Sequence, residues 1–428
     1  MTQELKEKAR TLIKEFKGEA YIFGLGCLDR AGALAKTLGD KALLVTNLQD
    51  RDPQHFQVLS DSLKRAGIKI LGHTPSAHPN SPWEDVFRIQ KAIQSSKPDM
   101  VLTASGGSGI DAAKAAAVLA SLGGKLDDYF GVGKVANKLG GENKSLLPHI
   151  AVQTASGSAA HLTKYSNITN IQTYQKKLII DEAVVPIRSL FDYNLTRSMS
   201  VSFTCDGAFD GLAHCLEVYY GAQPETYGKI EEITLTGIEL ILAFLEKAVR
   251  NPHDLEAREG LGLATDLGGY AIMMGGTNGA HLTSFSLVDI LTHGRACAIL
   301  NPYYTVLFSP AIQDQLQKLI QVFQRYELID ISSVEPDGIG LGKAIARGLI
   351  AFGQRVGFPT TLSEIDGLTS GHIEKALRAA KDPQLGSKLK NMPVPMTPEM
   401  VDIYMRPVLE AALTGHFQGI KPLKKHLT

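Results

Sequence analysis

Asp210 and His214 stand four residues apart in CDGAFDGLAHCLEVYYG, and two further histidines follow at His281 and His293. On a helix, positions i and i+4 share one face, so the carboxylate and the first imidazole project together. One carboxylate oxygen and three imidazole nitrogens form a donor set suited to Fe2+ or Zn2+, and convergence would give the chain a Lewis acid. Each part also has a plainer reading. Asp206, Asp210, His214 and Glu217 fit the wet face of an amphipathic helix whose dry face holds Phe209, Leu212 and Leu216. His281 in GGTNGAHLTSF and His293 in VDILTHGRACAIL are flanked by small or apolar residues, where histidines bonded to backbone carbonyls are common.

A second candidate is SGGSGIDAAK, Ser105 to Lys114, which follows a strand-like segment and opens a helix-like one. Glycines at Gly106 and Gly107 let the backbone approach a diphosphate, and helix N-terminal amides supply donors and positive potential. A plain structural turn has the same look, but Ser108 and Asp111 add capping and hydrogen-bonding groups. The earlier Gly24-Leu-Gly26 is not a dinucleotide fingerprint, because Asp29 stands where the third glycine belongs.

The elements that must position these residues change character along the chain. EAYIFGLG, KALLVTN, IKILGH and PDMVLTAS read as strands, separated by the helical segments AGALAKTLG, HFQVLSDSLKRAG and WEDVFRIQKAIQSS. That alternation predicts a parallel sheet covered by helices. HIAVQTASGS reads as strand then polar turn, the Thr- and Asn-rich stretch after it as a hairpin, and PIRSLFDYNLT as the approach to the helix carrying Asp210. From about residue 200 the pattern is almost wholly helical. The expected division is an α/β dinucleotide-binding domain over 1–198 and an all-α metal-binding domain over 199–428.

Composition narrows the partners. The 428 residues include 44 basic and 44 acidic side chains, so no net field favours nucleic acid or an anionic membrane, and a small molecule is the better expectation. The four cysteines contain no CxxC pair, which argues against a disulfide framework or a thiolate zinc ribbon. MTQELKEKARTLIKEF reads as an amphipathic helix without a signal peptide's apolar region, no apolar run is long enough to span a bilayer, and a cytoplasmic location follows as the expectation.

Taken in order, these motifs resemble those of the iron-containing alcohol dehydrogenase family, within the dehydroquinate synthase-like fold. The family's GGGSxxDxAK loop is similar to residues 105–114. Its TxxGTxSExT segment is similar to Thr154-Ala-Ser-Gly157-Ser158-Ala-Ala-His161-Leu-Thr163, and its D-x-x-L-T followed by T-x-x-D-A-L-x-H-x-I-E to FDYNLT and FDGLAHCLEVYY. Its PHGxANAIxLP is similar to the stretch from Leu291 to Pro302. The resemblance is collinear from about residue 20 to about residue 310.

What it implies is reversible, NAD(P)-linked hydride transfer between a small alcohol and an aldehyde or ketone. One divalent metal, Fe2+ or alternatively Zn2+, would be held by Asp210, His214, His281 and His293. His281 stands two residues closer to His293 than the commonest family spacing, and an ungapped alignment would put Gly279 there, which has no side chain to ligate. Gly106, Gly107, Ser108 and Asp111 would hold the diphosphate, Thr154 and Ser158 would border the cofactor, and Lys176 (alternatively Lys177) would lie near the ribose. Three departures stand out. Phe285 occupies the place of a second family histidine near the substrate, His161 that of a glutamate, and Asn47 that of the aspartate of NAD-preferring members. Asn47 lacks the charge that repels a 2′-phosphate, so NADP(H) is expected to be tolerated. The family also implies a homo-oligomer, expected to be a dimer. A polyol or glycerol-phosphate dehydrogenase, a dehydroquinate synthase-like lyase, and a non-catalytic nucleotide-binding protein are the alternative functions.

Overall fold

A computed structural model describes residues 2–142 and 144–425. The chain forms two compact units. One holds Thr11–Met199 and His253–Gly262; the other holds Ser200–Pro252 and the chain from Leu263 onward, with the first turns of the N-terminal helix.

The first unit is built on a six-stranded sheet of β1 (Tyr21–Gly24), β2 (Lys41–Thr46), β3 (Lys69–Thr74), β4 (Met100–Ser105), β6 (His149–Gln153) and β9 (Arg188–Asp192). The order is β1-β9-β6-β4-β2-β3 and every pairing is parallel. Parallel strands are covered on both faces, so their sequences run apolar without alternation. β2 shows how: Leu43 and Val45 pack with Val86, Ile89 and Leu119, while Ala42 and Leu44 pack on the other side with Leu59, Leu63 and Leu102. PIRSLFDYNLT is more than an approach to the next helix, since it contains β9. This strand inserts between β1 and β6, with Leu190 and Phe191 fully buried.

The expected hairpin is present. β7 (Tyr165–Asn170) and β8 (Gln175–Ile180) pair antiparallel, and the short β5 (Gly131–Val132) joins β8 to complete a second sheet.

The second unit is helical. Its central element is the Val201–Tyr220 helix, capped by Ser200, whose hydroxyl accepts from the Phe203 amide at 3.2 Å. Every residue from Thr204 to Tyr220 is buried, so this helix has no wet face along that stretch. The solvated-face reading of Asp206, Asp210, His214 and Glu217 is therefore overturned: the polar stripe faces protein. The His293–Phe308 helix packs directly on it. Gly294 makes the close approach possible, since an added Cβ would collide with the Asp206 carbonyl. Near the C-terminal end, Leu423 is buried and its amide donates to the Leu307 carbonyl at 2.7 Å. No helix among the described residues is long and apolar enough to cross a membrane.

Candidate metal centre and nucleotide loop

Three elements of the helical unit deliver four donors to one point. The Val201–Tyr220 helix carries Asp210 and His214, the short Gly279–Ser284 helix carries His281, and His293 opens the His293–Phe308 helix. Asp210 Oδ1 lies 3.7 Å from His214 Nε2, 3.6 Å from His281 Nε2 and 3.7 Å from His293 Nε2. These separations are too long for hydrogen bonds. They are close to what donors about 2.1 Å from a shared tetrahedral ion require, roughly 3.4 Å between neighbours. Asp210 Oδ1 and His281 Nε2 are buried and have no hydrogen-bond partner among the described residues. Buried polar atoms are ordinarily paired, so an unpaired carboxylate oxygen facing three ring nitrogens fits a divalent cation.

Two residues behind the donors fix which nitrogen faces the cluster. Glu217 Oε1 lies 2.7 Å from His281 Nδ1, and Glu217 Oε2 accepts from the Asn278 amide at 2.7 Å. A carboxylate accepts, so Nδ1 of His281 carries a proton, which leaves Nε2 as the nitrogen that would face a bound ion. Ser284 donates its hydroxyl to the His281 carbonyl at 2.7 Å and so accepts from His293 Nδ1 at 2.9 Å. The lone pair of His293 then lies on Nε2. Sequence reasoning assigned neither residue. The available signal was that Glu217 repeats at i+7 from Asp210, on the same helical face.

Burial opposes ionisation of Asp210, but the imidazoles of His214, His293 and His281 outweigh it and hold the carboxyl well below its usual range. Burial pushes His214 down to about 4, which keeps it a neutral ligand at ordinary pH. Burial likewise opposes the charge on Glu217, and His281 with the Asn278 amide more than offsets it. Burial opposes a charge on His281, but Cys297, Glu217 and Asp210 more than offset it and raise its pKa well above the ordinary value, so a bound cation would have to displace a proton from this ring.

The three departures from the family pattern are also placed. Phe285 lies flat against His293, with ring centroids 5.7 Å apart and planes at 12°. His161 is fully buried in the first unit, its Nε2 3.0 Å from the Tyr21 hydroxyl and its ring edge-on to Phe191. Asn47 directly follows β2, and its Oδ1 accepts from the Ser76 amide at 3.0 Å.

In the first unit the C-terminal ends of β2, β4 and β6 bring Asn47, the Gly106–Ser108 turn and Thr154 to one edge of the sheet, the edge where α/β folds bind ligands. Gly106 caps the Gly107–Leu122 helix, and an added Cβ on Gly107 would strike the Ser158 hydroxyl. Ser108 Oγ accepts from the Asn80 amide at 3.0 Å, and Asn80 Oδ1 accepts from Lys176 Nζ at 3.3 Å. Lys176 is thus tied to the turn, whereas Lys177 points to the other side and pairs with Asp127 at 3.0 Å. Asp111 turns inward, where its Oδ2 accepts from the Asn167 amide at 3.0 Å and side chain at 2.9 Å.

The chain thus joins a unit built on a parallel sheet to a helical unit in which one aspartate clusters with three histidines. Two family models match this chain: Iron-containing alcohol dehydrogenase over residues 18–193, and Fe-containing alcohol dehydrogenase family, C-terminal, over residues 204–408. The chain belongs to the iron-containing alcohol dehydrogenase family. It is 26% identical over 364 residues to the NAD-dependent methanol dehydrogenase of Bacillus methanolicus, covering 83% of this chain and 90% of that one. It is 28% identical over 298 residues to the 1,3-propanediol dehydrogenase of Citrobacter freundii, covering 67% and 74%. The solved structure of an alcohol dehydrogenase from Oenococcus oeni shares the fold, with a TM-score of 0.78 at 22% identity, covering 92% of this chain and 97% of that one.

Proposed function

We propose that this chain is a metal-dependent, NAD(P)-linked alcohol dehydrogenase that transfers hydride reversibly between a small alcohol and an aldehyde or ketone. The proposal rests on Asp210 Oδ1, buried and unpaired among the described residues, facing three imidazole Nε2 atoms at 3.6 to 3.7 Å. Asp210, His214, His281 and His293 would hold the ion; the family favours Fe2+, and Zn2+ suits the same donors. A divalent cation there supplies Lewis acidity, lowering the pKa of an alcohol hydroxyl and stabilising the developing alkoxide. A nicotinamide dinucleotide supplies the hydride acceptor, with its diphosphate suited to the amides of Gly106, Gly107 and Ser108. Ser158 and Thr154 border that turn, Lys176 and Asn47 take the ribose side, and Asp111 anchors the helix behind it.

The chain's own residues then orient and exclude. Glu217 and Ser284 orient His281 and His293 as Nε2 donors. Phe285 walls one face of His293 and has no ionisable group, so proton exchange at that position falls to water or substrate. Asn47 places no negative charge near a 2′-phosphate, so NADP(H) is accepted beside NAD(H); strong selectivity for NADH in kcat/KM would refute this. The names of the relatives extend the substrate class to methanol and 1,3-propanediol. A cytoplasmic homodimer is the accompanying expectation, its dimeric state checked in solution by light scattering.

The test is formation of NAD(P)H from a panel of alcohols by full-length protein loaded with Fe2+ or Zn2+. Asp210→Ala and His214→Ala are expected to lose both bound metal and turnover while keeping the wild-type circular dichroism spectrum. Full activity with retained metal in both variants defeats the proposal. Product formation without net NAD(P)H release would point to the lyase.

A further inference from the structure

Cys297 lies one helical turn beyond His293 in the His293–Phe308 helix and is completely buried. Positions i and i+4 share a face, so this helix repeats the arrangement of Asp210 and His214. The thiol sulfur and the ligand atoms of Asp210, His281 and His293 all lie within 4.8 Å of one another. Two of those atoms, Asp210 Oδ1 and His281 Nε2, are buried and have no hydrogen-bond partner among the described residues. The family's HGxANAI pattern carries asparagine at this position, where HGRACAI carries cysteine. Other cysteines are placed differently: Cys27 sits beside the Phe191 carbonyl at 3.6 Å, and Cys215 faces Gly237 between helices.

We infer that Cys297 is an additional protein donor to the divalent cation, bound through its thiolate sulfur beside Asp210, His281 and His293. This deepens the metal-centre reading above and rests on it. On metal binding the S–H bond breaks, an S–metal bond forms and the proton leaves to solvent; no oxidant or reductant is involved. The consequence is metal preference. A thiolate is a softer donor than carboxylate or imidazole and shifts the site towards Zn2+ or Co2+ and away from Fe2+.

The experiment uses full-length protein stripped by chelator and reloaded with Co2+ alone. The visible d–d bands report bound cobalt, and a near-ultraviolet charge-transfer band reports a cobalt–thiolate bond. Wild type is expected to show both; Cys297→Asn and Cys297→Ser are expected to keep the d–d bands and lose the charge-transfer band. Bound cobalt without that band in wild type overturns the inference and leaves the four-donor centre standing. A band that persists in either folded variant also overturns it. Failure to bind cobalt at all removes the inference together with the metal-centre reading. Should both variants fail to fold, the wild-type spectrum still decides.

Discussion

At the scale of single residues, the proposed metal centre would depend on side chains outside its donor set. Glu217 orients the His281 ring across 2.7 Å. Replacing it with glutamine keeps the shape, removes the negative charge and lets the amide present either atom to the ring. Partners of this kind are worth about 10–100-fold in metal affinity. Glu217→Gln is therefore expected to weaken metal binding by that factor while the fold persists, as read by competition with a chromophoric chelator; unchanged affinity would show that Glu217 only fills space. The clustering of Asp210 with His214, His281 and His293 was legible because i, i+4 spacing and two later histidines are properties of the chain. Glu217 and Ser284 were not, because their role appears only when separate helices meet. The same limit produced the solvated-face reading. Helical periodicity locates a polar stripe but does not say whether water or an enclosed ion lies beyond it.

At the scale of elements, close approach is set by glycines in particular turns. Gly294 lets the helix opening with His293 lie against the Asp206 carbonyl, which puts the fourth donor within reach of Asp210. Gly107 does the corresponding work beside Ser158 in the other unit. Gly107→Ala is expected to weaken dinucleotide binding by roughly tenfold or more, about 1.4 kcal/mol, measured by fluorescence titration with NADH and NADPH. Metal content should stay at the wild-type level, because the proposed donors lie in the helical unit. Unchanged cofactor affinity would count against the turn as the diphosphate site. Most strands were legible from apolar runs bounded by glycine and polar turns. β9 was hidden because RSLFD is short, begins with charge and carries the aspartate that caps the next turn, so it reads as a connection. Its pairing with β1 across the sequence supplies what local pattern lacks.

At the scale of the whole molecule, the change from alternating strands and helices to helices alone was plain in the sequence. The membership of His253–Gly262 in the first unit was not, since only the folded chain shows Arg258 buried, with a guanidinium N–H donating to the Met199 carbonyl at 3.4 Å. Stability of the α/β unit should also depend on pH. Burial, with the Lys114 charge, pushes His149 in β6 down to about 3. The unfolded chain takes up this proton near the ordinary value of about 6.5, whereas the native state takes it up only near the lowered value. The contribution is therefore full above that ordinary value and is lost as pH falls towards the native one, by up to about 1.4 kcal/mol per pH unit. Between about pH 7 and about pH 5, wild type should lose about 2 kcal/mol more than His149→Gln in urea unfolding; equal losses would contradict this. The central claim, that donors distant in sequence enclose a divalent ion, is tested most directly by metal analysis of anaerobically purified full-length protein. Wild type is expected to retain Fe2+ or Zn2+ in a fixed ratio to chain and Asp210→Ala to retain none. A folded wild type that binds neither ion, or an Asp210→Ala variant that binds as well as wild type, would contradict it.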